Sequence, residues 1–371
     1  MNDIVSLVIP TYNEHDNIAV LVPRISDALT GYNYEIVFVD DNSTDGTAEA
    51  VEAFKDKYPV RVIVRRGKKG LASAVVDGLE QASGDTVLVM DADLQHPPQV
   101  IPDLLKAIEK GADIAIASRY VEGGGCQGWG LLRRIISKGA IFLSHLLLPA
   151  TCKAKDPVSG YFAFRKEVVK GACLNPSGFK ILMEILVIGK YKTVKEVPFT
   201  FVTRKKGESK LNARQQIDYL KHIFSMMRRS GELLRFIKFA LVGGSGVVVN
   251  MGLYWLLTRF AGFTALDDAA SGNILSGNLA LTISIEASII TNFILNNYFT
   301  FADRNKKGVI AFLSRLLNFN LICLIGALIQ IGVTNLLAVG FGLYDLFSLA
   351  IAIIIATFWN YLLNNWWTWR R

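Results

Sequence analysis

Short apolar runs alternate with segments of helical apolar spacing over residues 1–212. Most runs are rich in Val, Ile and Ala, and several end in a polar loop followed by a helical pattern, which predicts βα units and a mostly parallel sheet. We predict that a turn at residues 156–161 enters a further strand, and that Ser43 or Thr44 caps the second helix. The runs predicted as strands are Ile4–Ile9, Glu35–Val39, Val60–Val64, Val87–Met90, Ile114–Ala117 and Val197–Phe201.

Long apolar runs dominate the chain from residue 238 to residue 371. Residues 213–237 precede them and combine apolar with basic side chains, which is typical of amphipathic helices at a membrane interface. We therefore predict three segments: an α/β domain at 1–212, interfacial helices at 213–237 and an all-α transmembrane domain at 238–371. Its four spans, each near the length that crosses a bilayer, are predicted at Phe239–Leu257, Ile274–Leu295, Leu316–Leu337 and Leu346–Leu363.

The membrane half contains an internal repeat. Asn292–Phe301 (NFILNNYFTF) and Asn360–Trp369 (NYLLNNWWTW) share their spacing of asparagine and aromatic residues, and they lie at the ends of the second and fourth predicted spans. This repetition predicts two related helical hairpins. We expect the paired asparagines to cap helix ends or to form hydrogen bonds between the hairpins.

The formal charge of +8 bears on which kinds of partner the protein binds. A basic excess suits nucleic acid, an anionic membrane surface or phosphorylated substrates; the membrane spans favour the last two, and we expect no nucleic-acid partner. Basic residues are concentrated before the first span, between the second and third spans, and at the end of the chain. By the positive-inside rule, the α/β domain and both termini are therefore predicted to be cytoplasmic, in a multi-pass membrane protein.

Two carboxylates directly follow the predicted strand that ends at Met90. Asp91 and Asp93 are two residues apart, so in an extended segment they project to the same side, and Gln95 follows them. Such close carboxylates repel each other unless a cation joins them, and oxygen ligands suit Mg²⁺ or Mn²⁺. A D-x-D pair can also be a solvated turn, but its position at the end of a buried strand favours a metal site.

Basic residues flank the same predicted sheet edge and indicate an anionic acceptor. Arginine forks bind phosphate oxygens in bidentate fashion, and a phosphate monoester is itself an anionic nucleophile at neutral pH, so no strong general base is required. Glu184 is the nearest candidate for such a base, but its place on an apolar helical stretch disfavours that role. The Gly-rich segment 122–130 is either a connector or a loop that orders over substrate. The predicted phosphate ligands are Arg119, Arg133, Ser137, Arg204 and Lys210.

Four motifs, in this order, resemble those of polyprenyl-phosphate glycosyltransferases of glycosyltransferase family 2, with the dolichyl-phosphate mannose synthase subgroup the most similar. They are Val8–Glu14 (VIPTYNE), Val39–Thr47 (VDDNSTDGT), Met90–Pro98 (MDADLQHPP) and Arg204–Lys210 (RKKGESK). The membrane half resembles the four-helix GtrA-type domain through Val242–Gly246 and the asparagine-aromatic repeats.

The resemblance implies a GT-A fold, which is Rossmann-like, and inverting transfer of mannose from GDP-mannose to dolichyl or another polyprenyl phosphate. UDP-glucose or another nucleotide sugar is the alternative donor. A processive polysaccharide synthase and a flippase agree less well with the motifs. The resemblance assigns Asp91, Asp93 and Gln95 to the metal and makes Asp91, Asp93 and Arg119 catalytic. It assigns to nucleotide binding Pro10, Tyr12, Glu14, Val39, Asp41, Asp91 and Ala92.

Overall fold

The chain divides into two compact units, Met1–Ser230 and Gly231–Arg371. The boundary falls inside the segment predicted as interfacial, so that this segment ends the first unit and begins the second. The computed structural model describes residues 4–67, 70–175, 180–202, 213–261, 263, 274–305 and 308–370.

The first unit is built on a central β-sheet. The strands of this unit are β1 (Val5–Thr11), β2 (Tyr34–Asp40), β3 (Val60–Val64), β4 (Thr86–Val89), β5 (Ile114–Ser118), β6 (Gly125–Cys126), β7 (Phe162–Arg165), β8 (Val194–Pro198) and β9 (Thr200–Phe201). Strands β6 and β9 pair in a separate small sheet. Within the described residues the main sheet has seven strands in the order β3-β2-β1-β4-β7-β5-β8. Among these seven described strands, β7 alone runs antiparallel to its neighbours. The predicted mostly parallel sheet is confirmed.

Helices cover both faces of this sheet. Alternate side chains of β1 point to opposite faces: Leu7 and Ile9 belong to one apolar core and Val8 to the other. Gly78 allows close packing on the second face, since a Cβ there would lie 2.4 Å from Val8 Cγ1. The helices of this unit are α1 (His15–Ala28), α2 (Thr47–Glu52), α3 (Leu71–Gln81), α4 (Ile101–Glu109), α5 (Leu131–Leu147), α6 (Ile181–Ile188) and α7 (Ala213–Arg229).

The chain reverses sharply after β1, β2 and β4. Asn13, Asn42 and Leu94 have φ values of 57°, 59° and 60° in these three loops. Asparagine adopts this left-handed conformation readily, whereas leucine does so rarely. Because β1 is parallel to both β2 and β4, all three loops lie at the same edge of the sheet.

The predicted N-cap of α2 is wrong. The residue before α2 is Gly46, with φ of 84° and no side-chain cap. The Ser43 hydroxyl instead donates to Asp40 Oδ1 at 2.5 Å. The serine is thus used within the loop after β2, and a glycine makes the turn into the helix.

The Gly-rich segment 122–130 is paired at its centre. Its strand β6 runs parallel to β9, and the Gln127 N–H donates to the Phe201 carbonyl at 2.9 Å. Gly124 packs directly on the end of β5, because a Cβ there would lie 2.6 Å from the Ser118 carbonyl oxygen. Backbone hydrogen bonds therefore hold the segment to β9, and Gly124 packs it on the end of β5.

The second unit consists mainly of long apolar helices, α8 (Glu232–Phe260), α9 (Ile274–Leu295), α10 (Val309–Asn335) and α11 (Asp345–Leu363). Each described hairpin ends in a π-helical turn, at Asn296–Thr300 and at Asn364–Thr368. Across the described part of the chain, four stretches are long and apolar enough to span a membrane: Glu232–Phe260, Leu279–Thr300, Val309–Gly340 and Leu346–Thr368. Four apolar helices are confirmed at the predicted places: α9 has the predicted bounds, and the other three are longer than their apolar runs.

The two hairpins repeat the same close helix contact. A Cβ on Gly246 would lie 2.2 Å from the Asn292 side chain, and a Cβ on Gly326 would lie 2.2 Å from that of Asn360. The asparagines that begin the two sequence repeats therefore each occupy the space left by a glycine on the partner helix. This matching geometry agrees with the predicted relation between the hairpins.

Hydrogen bonds also join the ends of the two hairpins. Phe301 and Trp369, the last residues of the two repeats, stack with centroids 4.4 Å apart and planes 5° apart. Trp369 Nε1 donates to Asn297 Oδ1 at 3.1 Å. Arg304 Nη1, just after the first hairpin, donates to Asn365 Oδ1 in the second at 2.5 Å. The predicted role of the paired asparagines in bonding between hairpins is confirmed.

Candidate active site

The loops after β1 and β2 are joined by hydrogen bonds at the carboxyl edge of the sheet. The Asn13 N–H donates to the Ser43 hydroxyl at 2.8 Å, and the Thr44 N–H donates to the Asn13 side-chain oxygen at 3.1 Å. The Glu14 N–H donates to the Thr47 hydroxyl at 2.9 Å. The two loops therefore form one continuous polar rim.

Asp41, which is predicted to bind the nucleotide, is held by a buried arginine. Arg65 donates to Asp41 Oδ1 through Nη2 and through Nε, the latter at 2.7 Å, and the Gly70 N–H donates to Oδ2 at 2.7 Å. Arg65 also donates to Ser73 and Asp77, at 2.9 and 3.2 Å. This group fixes the Asp41 carboxylate at the rim.

The other residues predicted to bind the nucleotide differ in exposure. Tyr12 is 49% exposed and Glu14 is partly exposed, so both side chains are accessible to a ligand. Pro10, Val39 and Ala92 are buried. These three can shape a nucleotide pocket through their backbone and their packing rather than through an exposed side chain.

Asp91, Asp93 and Gln95 lie in one tight loop after β4. The Gln95 N–H donates to Asp93 Oδ1 at 3.1 Å, and the Gln95 side-chain amide donates to the Val202 carbonyl at 2.9 Å. No group of three or more His, Cys, Asp or Glu side chains among the described residues could hold a metal ion. The loop offers two partly exposed carboxylates and an amide, a donor set that suits Mg²⁺ when substrate phosphates complete its coordination.

His96 supports this acidic loop from the core. Its Nδ1 accepts the Asp91 N–H at 3.0 Å, and its ring stacks on Tyr161 with centroids 5.0 Å apart. Burial lowers the pKa of His96, against the opposing charges of Asp91 and Asp93. The ring is therefore neutral at neutral pH and keeps a lone pair for that N–H.

Arg119 follows β5 and forms a buried ion pair. Its Nε and Nη2 each donate to an Asp156 carboxylate oxygen at 2.7 Å, and Asp156 is fully buried. Although burial alone would lower the pKa of Arg119, hydrogen bonds and charge from Asp156 raise it. Arg119 is thus a permanently charged group whose orientation is fixed along one edge.

Trp129 lies against two of the residues that are predicted to bind the acceptor phosphate. The guanidinium carbons of Arg119 and Arg133 lie 5.4 and 4.2 Å from the centroid of its ring. Ser137 lies one turn after Arg133 on α5 and accepts a hydrogen bond from the Tyr120 hydroxyl at 2.8 Å. Sequence reasoning missed Trp129, although an aromatic residue close to two arginines was an available signal.

The acidic loop and this arginine cluster border one another. The ring centroid of Phe201 lies 5.9 Å from that of His96 and 5.4 Å from that of Trp129.

Lys180, at the start of α6, is another residue that the sequence alone did not indicate. Burial and the Arg119 charge lower the pKa of its ammonium group to about 8, and the acidic loop opposes the shift.

The candidate base Glu184 bonds to residues outside this group. Arg204 and Lys210 lie outside the described residues, so their roles stay predictions. Glu184 is fully buried and accepts from Arg229 Nη1 at 2.5 Å and from the Asn175 N–H at 2.8 Å. It joins α6 to α7, which is a structural role.

Comparison with known protein families defines the class of the two units. The glycosyl transferase family 2 model matches residues 6–171, and the model of the GtrA/DPMS transmembrane domain matches residues 238–369. A glycosyltransferase domain is thus joined to a membrane domain in one chain. The protein is an integral membrane glycosyltransferase, as the motifs predicted.

Curated relatives narrow this class. The dolichol-phosphate mannosyltransferase of Pyrococcus furiosus is 47% identical over 98% of this chain and 99% of its own length. That of Saccharomyces cerevisiae is 37% identical over 63% of this chain and 92% of its own length. The chain belongs to the dolichol-phosphate mannosyltransferase family.

Among solved structures, glucosyl-3-phosphoglycerate synthase from Mycobacterium tuberculosis matches 62% of this chain and 80% of its own chain. The sequence identity is 21% and the TM-score is 0.49.

Proposed function

We propose that the protein transfers mannose from GDP-mannose to the phosphate of dolichyl phosphate or a related polyprenyl phosphate, with inversion at the anomeric carbon. The observation that carries this proposal is the contact of Phe201 with both His96 and Trp129, since it brings the acidic loop next to the arginine cluster. A donor diphosphate held at the acidic loop would then face an acceptor phosphate held by the arginines. Membership of the family favours mannose as the sugar.

The donor end of the proposed site is the polar rim with the acidic loop. Tyr12, Glu14 and Asp41 would hold the nucleoside, and Asp91, Asp93 and Gln95 would hold Mg²⁺ or Mn²⁺. The ion would neutralise charge on the leaving diphosphate as the glycosidic bond breaks. Arg65 serves this end indirectly, because it keeps the Asp41 carboxylate in place.

The acceptor end is the arginine cluster. Arg119 and Arg133 would bind and orient the phosphate, with Ser137 donating its hydroxyl hydrogen, which the hydrogen bond from Tyr120 leaves available. A phosphate oxygen already carries negative charge at neutral pH and needs no base to become a nucleophile. Its attack on the face opposite the diphosphate is a single displacement, which inverts the anomeric centre. Arg204 and Lys210 are proposed to complete this end.

The surface of the first unit supports a position at the membrane. On α7, Ile217, Leu220 and Phe224 are more than half exposed, and on α5 Leu131 and Leu132 are exposed by more than 70%. Apolar side chains on amphipathic helices enter the headgroup region of a bilayer. We propose that the catalytic unit and both termini are cytoplasmic, with residues 1–212 catalytic, 213–237 interfacial and 238–371 transmembrane.

The test is a donor panel with the purified full chain, polyprenyl phosphate and labelled GDP-mannose or UDP-glucose, with and without Mg²⁺ or Mn²⁺. We expect metal-dependent formation of polyprenyl phosphate mannose with an inverted anomeric centre. Turnover of UDP-glucose alone would overturn the proposed sugar, and formation of a polymer would overturn the reaction. Asp93→Asn should reduce turnover more than a hundredfold by removing a metal ligand, whereas Asp103→Asn, on the exposed side of α4, should not.

A further inference from the structure

We propose that the indole N–H of Trp129 donates a hydrogen bond to an oxygen of the acceptor phosphate, as a ligand additional to the arginines. The inference rests on the proposed function, because it takes the acceptor to be a phosphate bound at this cluster. Trp129 is 8% exposed, and its Nε1 is buried without a hydrogen-bond partner in the part of the chain that the structure describes.

A buried N–H without an acceptor is rare in native proteins. Such a group has lost its hydrogen bonds to water and has gained none in return. Indole has a single polar atom, and that atom can only donate. An acceptor that arrives with the substrate would satisfy it, and the site is already lined with groups that attract an anion.

The surroundings of Trp129 determine which acceptor fits. The guanidinium groups of Arg119 and Arg133 both lie against its ring, and Asp156 occupies one edge of Arg119. A phosphate bound by these two guanidinium groups is therefore brought next to the indole. A carboxylate ligand would suit the charge as well, but the terminal oxygens of a phosphate monoester allow several donors to bind while one oxygen stays available.

The neutral charge of this donor has a chemical consequence. One phosphate oxygen must keep its electron density in order to attack the anomeric carbon, and each cation bound to the phosphate withdraws part of that density. A neutral N–H fixes the direction of the phosphate with a smaller loss of nucleophilicity. Trp129 would therefore orient the acceptor where a further lysine or arginine would weaken it.

The competing explanation is that Trp129 only supports the two arginine side chains. The variants that separate these roles keep an aromatic ring and remove the N–H: Trp129→Phe, and replacement of Trp129 by 3-benzothienylalanine, which keeps both rings. We expect either to raise the KM for polyprenyl phosphate about ten- to hundredfold, the range for one hydrogen bond to a charged group, with the KM for GDP-mannose unchanged. Trp255→Phe, in the second unit, is the matched control.

An NMR measurement tests the same hydrogen bond from the Trp129 indole N–H without requiring enzyme turnover. Trp129 is the only tryptophan in residues 1–230, so its indole ¹⁵N–¹H signal is assigned by its loss in Trp129→Phe. Polyprenyl phosphate added to the full chain should move the indole proton downfield, and GDP-mannose alone should not. Two results would overturn the inference: an indole signal that does not move, or a benzothienyl variant with the normal KM for polyprenyl phosphate. Neither result would affect the proposed function as long as the unaltered chain transfers mannose to polyprenyl phosphate. An unaltered chain that uses no polyprenyl phosphate would overturn both.

Discussion

The buried pair of Arg119 and Asp156 determines what Arg119 can offer to a substrate. The carboxylate occupies the edge formed by Nε and Nη2, so Nη1 remains on the other side of the guanidinium group. Because the ion pair has no net charge, Arg119 mainly fixes the orientation of a bound phosphate and adds little net positive charge to the site. A buried pair of this kind is strongly destabilised when one partner is removed.

Replacing that carboxylate should damage acceptor binding from a distance. In Asp156→Asn, one oxygen acceptor and the negative charge are lost, so the Arg119 fork is no longer held. We expect kcat/KM for polyprenyl phosphate to fall by at least about tenfold and the unfolding free energy to fall by about 3 kcal/mol. Steady-state kinetics with each substrate varied in turn, together with thermal unfolding, would measure this.

A control separates positioning from general loss of stability. Asp113 accepts hydrogen bonds from the Lys192 and Thr193 N–H groups at the other end of β5, so Asp113→Asn removes a carboxylate far from the arginine cluster. It should lower the melting temperature without changing the KM for the lipid phosphate. Equal kinetic losses in the two variants would show that Asp156 acts through stability alone.

Residues at the strand ends were predictable from the sequence, but their partners were not. The positions of Asp41, Asp91 and Arg119 followed from apolar runs that end in polar loops. By contrast, Arg65 lies 24 residues from Asp41, and Asp156 lies 37 residues from Arg119. Local periodicity carries no information on such pairs, because strand order and loop path bring them together.

At the scale of elements, the glycine-asparagine contacts specify how tightly each hairpin packs. A Cβ added at Gly326 would collide with the Asn360 side chain, both on described helices. Gly326→Ala should therefore destabilise the membrane domain by about 1–3 kcal/mol, the usual range for overpacking. Thermal unfolding of the detergent-solubilised full chain, followed by tryptophan fluorescence, would report the change.

The same helix supplies the matched control. A Cβ at Gly332 would meet nothing within 4 Å, and alanine is favoured over glycine within a helix by about 0.5–1 kcal/mol. Gly332→Ala should thus leave the unfolding temperature unchanged or raise it slightly. If both variants behave alike, the close contact at Gly326 does not determine hairpin stability.

Elements with strong periodicity were predicted well, and those that depend on distant pairing were not. The strands β1 to β5 and all four spans were visible as apolar runs. The antiparallel direction of β7 and the pairing of β6 with β9 were not, because β6 has two residues and its partner is far along the chain. The α2 cap failed because Ser43 had a competing acceptor in Asp40.

At the scale of the whole molecule, chemistry and anchoring belong to different units. The proposed reactive groups precede Ser230, and the described apolar spans follow it. A chain that ends at Ser230 should still transfer sugar in detergent but should leave liposomes after an alkaline carbonate wash, which the full chain should survive. Amphipathic helices bind bilayers reversibly, whereas a spanning helix does not leave.

The contribution of helix α7 to membrane binding can be measured in the same chain that ends at Ser230. Phe224 is 58% exposed on α7, so Phe224→Asp should lower binding of the short chain to liposomes in neutral buffer without affecting turnover in detergent. A short chain that is folded but transfers no sugar in detergent would contradict the separation of chemistry from anchoring.

The left-handed conformation of Leu94, between Asp93 and Gln95, has a consequence for the evolution of the protein. A side chain with a Cβ is disfavoured there by about 1–2 kcal/mol, and glycine would relieve this. Glycine would also let the acidic loop sample other conformations, so its carboxylates would no longer be preorganised. The leucine side chain also packs against the core of the first unit, and glycine would add conformational entropy to the unfolded chain. Both effects offset the backbone strain, so selection for stability and selection for a rigid ligand loop would together be expected to keep the leucine.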